Sequence, residues 1–326
     1  MTSQQLGVPD FDSRRILGTR VGLRPFRKTG YRFEVERVGE KRLIHNYGHG
    51  GAGVTLSYGC AMEVADAIGN CDKASVAILG AGVMGLTAAR ILAARGAFVS
   101  VYSESFTPNT TSDVAGAQWS PSYIEIGDSQ RAQFNRILQR SFDLFNELDE
   151  RHGVYSRPNY TDLEGDHSFR DIPSGVLPPR DEFQRLPWSD VRASGYLYQT
   201  LLIEPSVFLA RTTEDCERMG VRFERRRFES KEEVLALPQA CIVNCLGLGA
   251  GSLFDDPLMR PVRGQLVLLE PQDLPWLLSH RDGYVFPRSD AILLGGTLEQ
   301  GVTSLKPDPD ATESILRRNR EFFHPS

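Results

Sequence analysis

The segment Gly80-Ala81-Gly82-Val83-Met84-Gly85 constrains this chain most, because of what flanks it. Ser75 to Leu79 before it is an apolar run, as a strand buried on both faces of a parallel sheet requires. Val83 to Arg95 follows at helical period, and Ala97 to Tyr102 is a second apolar strand, completing a βαβ unit. The first glycine permits the tight turn, the second lets backbone approach a pyrophosphate, and the third lets helix and strand pack closely. The helix start offers free N–H groups and a partial positive charge to phosphates. Glu104 ends the next strand about 20 residues on, where an acid accepts hydrogen bonds from ribose hydroxyls and argues against a phosphorylated ribose. The pattern predicts a Rossmann-type α/β domain around a dinucleotide. The motif alone does not choose between NAD and FAD.

The fingerprint also comes late. It lies roughly a quarter of the way into 326 residues, whereas it normally follows the first strand of its sheet. Ahead of it, Gly30 to Val38 alternates Tyr31, Phe33 and Val35 with charged residues, a half-buried strand pattern. Leu43 to Tyr47 reads as a short strand. His45-Asn46-Tyr47-Gly48-His49-Gly50-Gly51-Ala52-Gly53 then opens an apolar helix carrying Val54, Leu56, Met62, Val64, Ala65 and Ile68. Turn-rich Gly69 to Lys73 joins that helix to the fingerprint strand. Downstream, Asp128 to Arg151 is expected as one long amphipathic helix, and 155–190 as irregular structure and strands of a second domain. Ser206 to Met219 reads as a helix, and Val221 to Phe228, Ala240 to Cys245 and Gly264 to Glu270 as strands. Asp308 to Phe323 is a charged terminal helix, and residues 1–13 are expected to fray.

Composition narrows the partners. A net charge of −5 gives no reason to expect nucleic acid or an acidic membrane. Apolar runs such as Ala88 to Ala94 are far short of the ~20 residues a membrane span needs. The opening Met-Thr-Ser-Gln-Gln-Leu does not read as a secretory signal, and the final residues do not read as a Ser-Lys-Leu address. Five cysteines without paired metal spacing read as reduced thiols of a cytoplasmic protein. His45 and His49 have no carboxylate or cysteine partner at ligand spacing, so no metal is expected.

Four further segments carry a resemblance: Gly22-Leu23-Arg24-Pro25, the His45 to Gly53 segment, the loop Ser105 to Trp119, and Asn244-Cys245-Leu246-Gly247-Leu248-Gly249-Ala250. With the fingerprint they resemble the D-amino acid oxidase and glycine oxidase family of FAD-dependent oxidoreductases, in swapped order. Residues 14–68 are similar to that family's carboxyl-terminal end and 75–300 to its amino-terminal and middle parts, so the chain reads as a circular permutant. The resemblance implies an FAD-binding domain over 40–120 and 206–262, a parallel sheet with helices. It implies a substrate domain of antiparallel-sheet α+β type over 14–39, 121–205 and 263–326. FAD would be held by Gly80, Ala81, Gly82, Val83, Met84, Gly85 and Glu104, and by Ser105, Thr110, Thr111, Ser112, Ala115, Gly116 and Ala117. Phe228, Gly247, Gly48, Gly50, Gly51, Gly53, Val54 and Thr55 would complete its site. The helix opened by Gly53 would place its positive end at the flavin. Arg225-Arg226-Arg227 reads as a solvated strand edge.

The resemblance also implies a reaction. Arg24 would pair with a substrate carboxylate through two parallel bonds. Tyr284 would share that carboxylate, and the Gly51 carbonyl would accept the amine. The Cα hydrogen would pass as hydride to flavin N5 without an acid–base side chain, since positioning carries the step. The imino acid would hydrolyse, and O2 would reoxidise the flavin to give hydrogen peroxide. Three departures suggest a wider or more polar pocket: a missing lid before Tyr284, Ser120 and Ser122 at larger family positions, and Ala52 in place of an aromatic. Arg288 and Ser120 are the candidate side-chain contacts. A glycine- or sarcosine-type oxidase, a specialised amine oxidase, an NAD-linked dehydrogenase and a flavin protein without turnover remain alternatives. The expected partners are an amino acid and O2. Completion of the site in a swapped homodimer is the alternative to completion within one chain, which the short Gly69 to Ala74 linker favours.

Overall fold

The computed structural model describes residues 5–116, 118–170 and 172–325. In chain order its first elements are β1 (Ile16–Arg27), β2 (Arg32–Val38), β3 (Lys41–Tyr47), α1 (Gly53–Ile68), β4 (Ser75–Leu79), α2 (Val83–Ala94) and β5 (Phe98–Ser103). Next come α3 (Arg131–Asn146), β6 (Val154–Asp162), β7 (Asp181–Phe183), β8 (Gly195–Ile203), α4 (Pro205–Arg218) and β9 (Arg222–Arg225). Then follow α5 (Lys231–Leu235), β10 (Cys241–Asn244), α6 (Gly249–Leu253) and β11 (Met259–Leu269). The last are β12 (Leu277–His280), β13 (Gly283–Pro287), β14 (Ile292–Gly295), β15 (Glu299–Gln300) and α7 (Pro309–Phe323).

A six-stranded sheet runs in the order β2-β3-β10-β4-β5-β9. Its inner pairs are parallel, and β2 closes one edge antiparallel to β3. The 14–39 segment is thus divided between two sheets. Val76 to Leu79 are buried on both faces, which explains why their run lacks a polar alternation. α1 and α2 bury one face of this sheet and α3 packs on α1, with Leu56, Val64, Leu86, Ala88 and Ile137 at 1% exposure or less. Glu63 on α1 ties down α3 by pairing with Arg136 (2.7 Å) and Arg140 (2.9 Å). The second sheet, of nine strands, runs β1-β11-β14-β13-β12-β6-β8-β7, with β15 beside β11. It is antiparallel except where β12 meets β6. α7 and the Trp188, Trp276 and Phe323 rings cover its Val285–Ile292–Leu294 face.

Several sequence expectations are corrected. The helix expected over 128–151 is α3 alone, with single 3-10 turns at Asp128–Gln130 and Glu150–His152. The Asp149 carboxylate accepts from Arg151 N and Gly153 turns left-handed, which ends the helical path. β9 stops at Arg225: the Arg226 N–H to Ser103 O (3.0 Å) is its last rung to β5, and the Arg226 guanidinium then stacks 4.7 Å over the Phe228 ring. Residues 5–13 are not frayed: Leu6 N donates to Pro187 O, Trp188 Nε1 donates to Gly7 O, and Phe11 is buried. β11 begins five residues before the expected Gly264, since its outer end pairs with the long β1.

Candidate active site

The carboxyl ends of β3, β4, β5 and β10 open on one cleft of about 1100 Å³, lined by residues of both sheets. Ligands of open α/β sheets bind at such strand ends. Gly80 turns left-handed (φ 96°), and its N–H donates to Tyr102 O. Ala81 N donates to Ser103 Oγ (3.1 Å), and Val83 N donates to Ser112 Oγ (3.0 Å). Gly85 permits the helix–strand approach expected of it: a Cβ there would lie 1.9 Å from Gly80 O. The Gly82 and Met84 amides have no hydrogen-bond partner among the described residues and stand at the start of α2.

The loop after β5 is held by the Asp113 carboxylate, which accepts from Thr110 N (2.8 Å), Thr110 Oγ1 (2.7 Å) and Thr107 Oγ1 (2.6 Å). The Thr110 hydroxyl is therefore turned to Asp113, while Thr111, Ser105, Ala115 and Gly116 line the cleft. Ala117 lies outside the described residues. Glu104 sits at the cleft rim, 3.2 Å from Arg227. Arg225 stacks over Phe106 rather than standing free. Phe228 is buried against Tyr102 and is not part of the cleft wall.

A second helix start faces the same cleft. Gly48 (φ 87°) and Gly50 (φ 56°) turn the chain into α1, whose Gly53, Val54 and Thr55 amides are unpartnered among the described residues. The Thr55 hydroxyl is already engaged, donating to Ser120 O (2.7 Å), so Thr55 has its backbone N–H left to offer. Gly51 is held at the cleft by its N–H to Tyr123 O (3.1 Å), and Gly247 lines the opposite side after β10. Asn46 also lines it, with a buried Oδ1 that lacks a partner.

The two histidines flanking this turn are core groups. His49 stacks on Tyr31 and lies 3.5 Å from Cys60 Sγ, and His45 lies 3.1 Å from Asn244 Nδ2. Among the described residues there is no cluster suited to a metal ion. Burial depresses His49 to about 3 and His45 to about 4, against 6.5 for a free imidazole. Unfolded chains therefore take up protons below about pH 6.5 that the native state refuses, and stability falls as pH drops from there toward 4. With both groups the slope reaches ~2.7 kcal/mol per pH unit. A melting temperature that stays flat between pH 7 and 4.5 would contradict this.

Arg24 and Tyr284 enter the cleft from the nine-stranded sheet. The Arg24 guanidinium lies over Gly264, where a Cβ would come within 2.2 Å of it. Its one hydrogen bond is long, from Nη1 to Thr297 O (3.4 Å), and no carboxylate pairs with it among the described residues. The Tyr284 ring lies flat across Gly295, 4.3 Å from Phe286, and its hydroxyl has no partner among the described residues. Burial raises the Tyr284 phenol, and the nearby Arg24 and Arg288 charges pull it back. An unpaired guanidinium beside an unpaired neutral hydroxyl is a site for an anion.

Two candidate contacts are corrected. Arg288 is buried and committed to Asp290 through Nε (2.8 Å), away from the cleft wall. Ser120 is buried behind the wall, and Ser122 lines it instead. The hairpin from β12 to β13 turns through Arg281 and Asp282 alone, so no lid precedes Tyr284. Sequence reasoning did not single out Gln118, Ser279 or Arg318, all of which reach the cleft. Nothing in their spacing marks them, because the topology alone brings them together.

Two sheets joined at a cleft with paired helix starts define a dinucleotide-binding enzyme class. A profile of the family described as FAD dependent oxidoreductase matches residues 5–67 and 75–326. A D-amino-acid oxidase of Streptomyces coelicolor is 32% identical over 249 residues, 74% of this chain and 76% of its own. One from Rubrobacter xylanophilus is 33% identical over 75% of this chain and 76% of its own. The fold is similar to that of a glycine oxidase from Geobacillus kaustophilus (TM-score 0.60, 16% identity, 76% of this chain and 77% of that one). The chain belongs to this family of FAD-dependent oxidoreductases, and FAD is its cofactor. Among the described residues no helix is long and apolar enough to cross a membrane.

Proposed function

We propose that this FAD-dependent oxidoreductase oxidises a D-amino acid to an imino acid, using O2 as the final acceptor. The observation that carries the reading is the unpaired Arg24 guanidinium beside the unpaired Tyr284 hydroxyl in the cleft that the two helix starts share. When bound, FAD supplies the two-electron acceptor for the Cα–H bond. The unpartnered amides of Gly82 and Met84 suit its pyrophosphate, and those of Gly53, Val54 and Thr55 suit negative charge on its ring. Asn46, with its orphaned Oδ1, suits one of its donors. Arg24 fixes the substrate carboxylate as a planar fork, and Tyr284 donates to the same group. Holding the carboxylate at two points leaves the Cα hydrogen one direction to face, while the Gly51 carbonyl orients the amine. No side-chain base is needed, because the Cα hydrogen leaves with its bonding electrons, so the step rests on alignment.

Three further readings accompany this one. The order of the chain is a circular permutation, supported by the break between the two family-matched segments at 68–74 and by the α1–β4 connection spanning that stretch. The site is completed within one chain, although the protein can still pair as a homodimer. The cytoplasm suits its five buried free thiols.

The test is anaerobic bleaching of the yellow protein by D-amino acids, L-amino acids and N-methylglycine. Bleaching near 450 nm by D-amino acids alone is expected. Bleaching confined to N-methylglycine and glycine would replace this reading with a glycine-type oxidase, and bleaching by L-enantiomers would reverse the stereochemistry. A flavin that none of them reduces would leave a binding protein without turnover.

A further inference from the structure

The cleft wall holds a strained backbone that the reading above does not use. Four non-glycine residues among those described turn left-handed: Thr29, Lys73, Tyr123 and Asp255. Thr29, Lys73 and Asp255 are exposed turn residues. Tyr123 (φ 53°) instead lines the cleft, and a bulky aromatic is an outlier in that region. Such strain persists only where the surroundings hold it.

Three contacts hold Tyr123, and each leads to the site. Its carbonyl accepts from Gly51 N (3.1 Å) and stands where a Cβ on Gly50 would come within 2.2 Å. Its ring packs on Phe26 with centroids 5.5 Å apart, and Phe26 is two residues along β1 from Arg24, on the same face of the strand. Its hydroxyl accepts from Gln300 Nε2 (3.1 Å), and Gln300 on β15 stands opposite Val262, the β11 partner of Arg24. The Gly51 carbonyl takes no backbone hydrogen bond among the described residues, so it is free to meet a donor. Tyr123 thus spans from the carbonyl assigned to the substrate amine to the strand whose guanidinium is assigned to the carboxylate. Relaxing it out of the left-handed region would rotate its peptide plane and take its carbonyl off Gly51 N.

We propose that Tyr123 is a positioning residue: its left-handed backbone, pinned by the ring on Phe26, fixes the gap between the Gly51 carbonyl and the Arg24 guanidinium. That gap sets the angle at which an amino acid presents its Cα–H bond. This rests on the amino acid oxidase reading and deepens it. Tyr123 acts through Gly51. A misplacement of about 1 Å at the reacting centre can cost roughly 10²-fold in rate. A carboxylate held by Arg24 and Tyr284 alone does not feel that shift.

Stopped-flow flavin reduction is measured on the FAD-loaded wild type, Tyr123→Phe, Tyr123→Gly and Tyr123→Ala, using the D-amino acid that bleaches the wild type fastest. Flavin spectral titration gives Kd for the same acid without its amine: propionate for D-alanine, succinate for D-aspartate. Tyr123→Phe keeps ring and backbone, so its reduction rate is expected within about 3-fold of wild type, since an exposed hydroxyl contact contributes little. Tyr123→Ala loses the ring and keeps the left-handed penalty, so its rate falls about 30- to 100-fold while the carboxylate Kd stays within about 3-fold. Tyr123→Gly loses still more side chain but turns left-handed freely, and is expected at least about 5-fold faster than Tyr123→Ala. A residue that merely filled space would rank glycine at or below alanine. Tyr123→Gly no faster than Tyr123→Ala, an undiminished rate in Tyr123→Ala, or a carboxylate Kd that rises in step with the lost rate would overturn the proposal and leave the oxidase reading standing. FAD lost from Tyr123→Ala but kept by Tyr123→Gly repeats the ranking on the cofactor and sustains it; FAD lost from both overturns it. If no amino acid reduces the wild-type flavin, the oxidase reading fails and the gap is read from binding alone. D-alanine binding tighter than propionate, with the advantage lost in Tyr123→Ala and kept in Tyr123→Gly, sustains it; equal binding in the wild type overturns it.

Discussion

Arg24→Leu is expected to lower kcat/KM for the best amino acid substrate by about 10²- to 10³-fold while FAD stays bound. Removing one partner of a desolvated, hydrogen-bonded charge pair costs roughly 2–5 kcal/mol, and a 10²- to 10³-fold loss takes the middle of that range. Leucine keeps the apolar stem of Arg24 packed on β1, so the loss isolates the charge. The guanidinium makes one long contact with Thr297 O, so its removal disturbs little of the fold itself. Arg24→Lys should fall between the two, since a point charge cannot match both carboxylate oxygens. Stopped-flow flavin reduction with a visible spectrum of each variant separates substrate binding from cofactor loss. Unchanged KM and kcat in Arg24→Leu would remove Arg24 from the site.

Gly85→Ala is expected to yield a colourless protein with a lowered melting temperature. The added methyl would stand 1.9 Å from Gly80 O and 3.0 Å from Gly80 C, both backbone atoms of the fingerprint turn. Backbone cannot swing aside as a side-chain tip can, so α2 must move off β4. That shift carries the Gly82 and Met84 amides away from where a pyrophosphate would accept from them. Overpacking of this kind costs typically 1–3 kcal/mol, and the loss of bound FAD adds to the fall in apparent stability. Gly127→Ala serves as the control: its φ is −71°, and the nearest atom to the new Cβ is 3.8 Å away. A yellow Gly85→Ala protein that melts with the wild type would refute the close-packing account.

The cofactor half was the more legible in sequence. β4 matches its expected bounds, and α2, β3 and α4 fall within two residues of theirs. Those elements are buried on one stripe or on both faces, so burial writes a plain period into the residues. The fingerprint turn was legible because each glycine in it answers a distinct steric demand. The nine-stranded sheet was harder to read. β1 is half-buried along almost its whole length, so its 12 residues show neither alternation nor an apolar run. Arg24 was named only through resemblance, since nothing local separates it from Arg20 or Arg27. Ser120 and Arg288 were misplaced for a related reason. Sequence shows that a residue is polar, but Asp290 beside Arg288 and Ser122 beside Ser120 decide which of them the cleft receives.

The placement of α1 ahead of the fingerprint has a consequence for how unevenly chain entropy is spent in assembling the site. The two helix starts, Gly53 and Val83, are 30 residues apart in sequence, whereas Arg24 on β1 pairs with Val262 on β11, 238 residues away. Loop-closure entropy grows as (3/2)RT ln n, so the second closure is dearer by about 2 kcal/mol before any contact is counted. The cradle's two helix starts are thus a short-range pair, but the sheet beneath them is not, because β10 lies between β3 and β4. Cradle and clamp alike stay open until the chain from Cys241 onward has folded back between and beside the early strands, so a chain cut short before β10 would hold neither cofactor nor substrate.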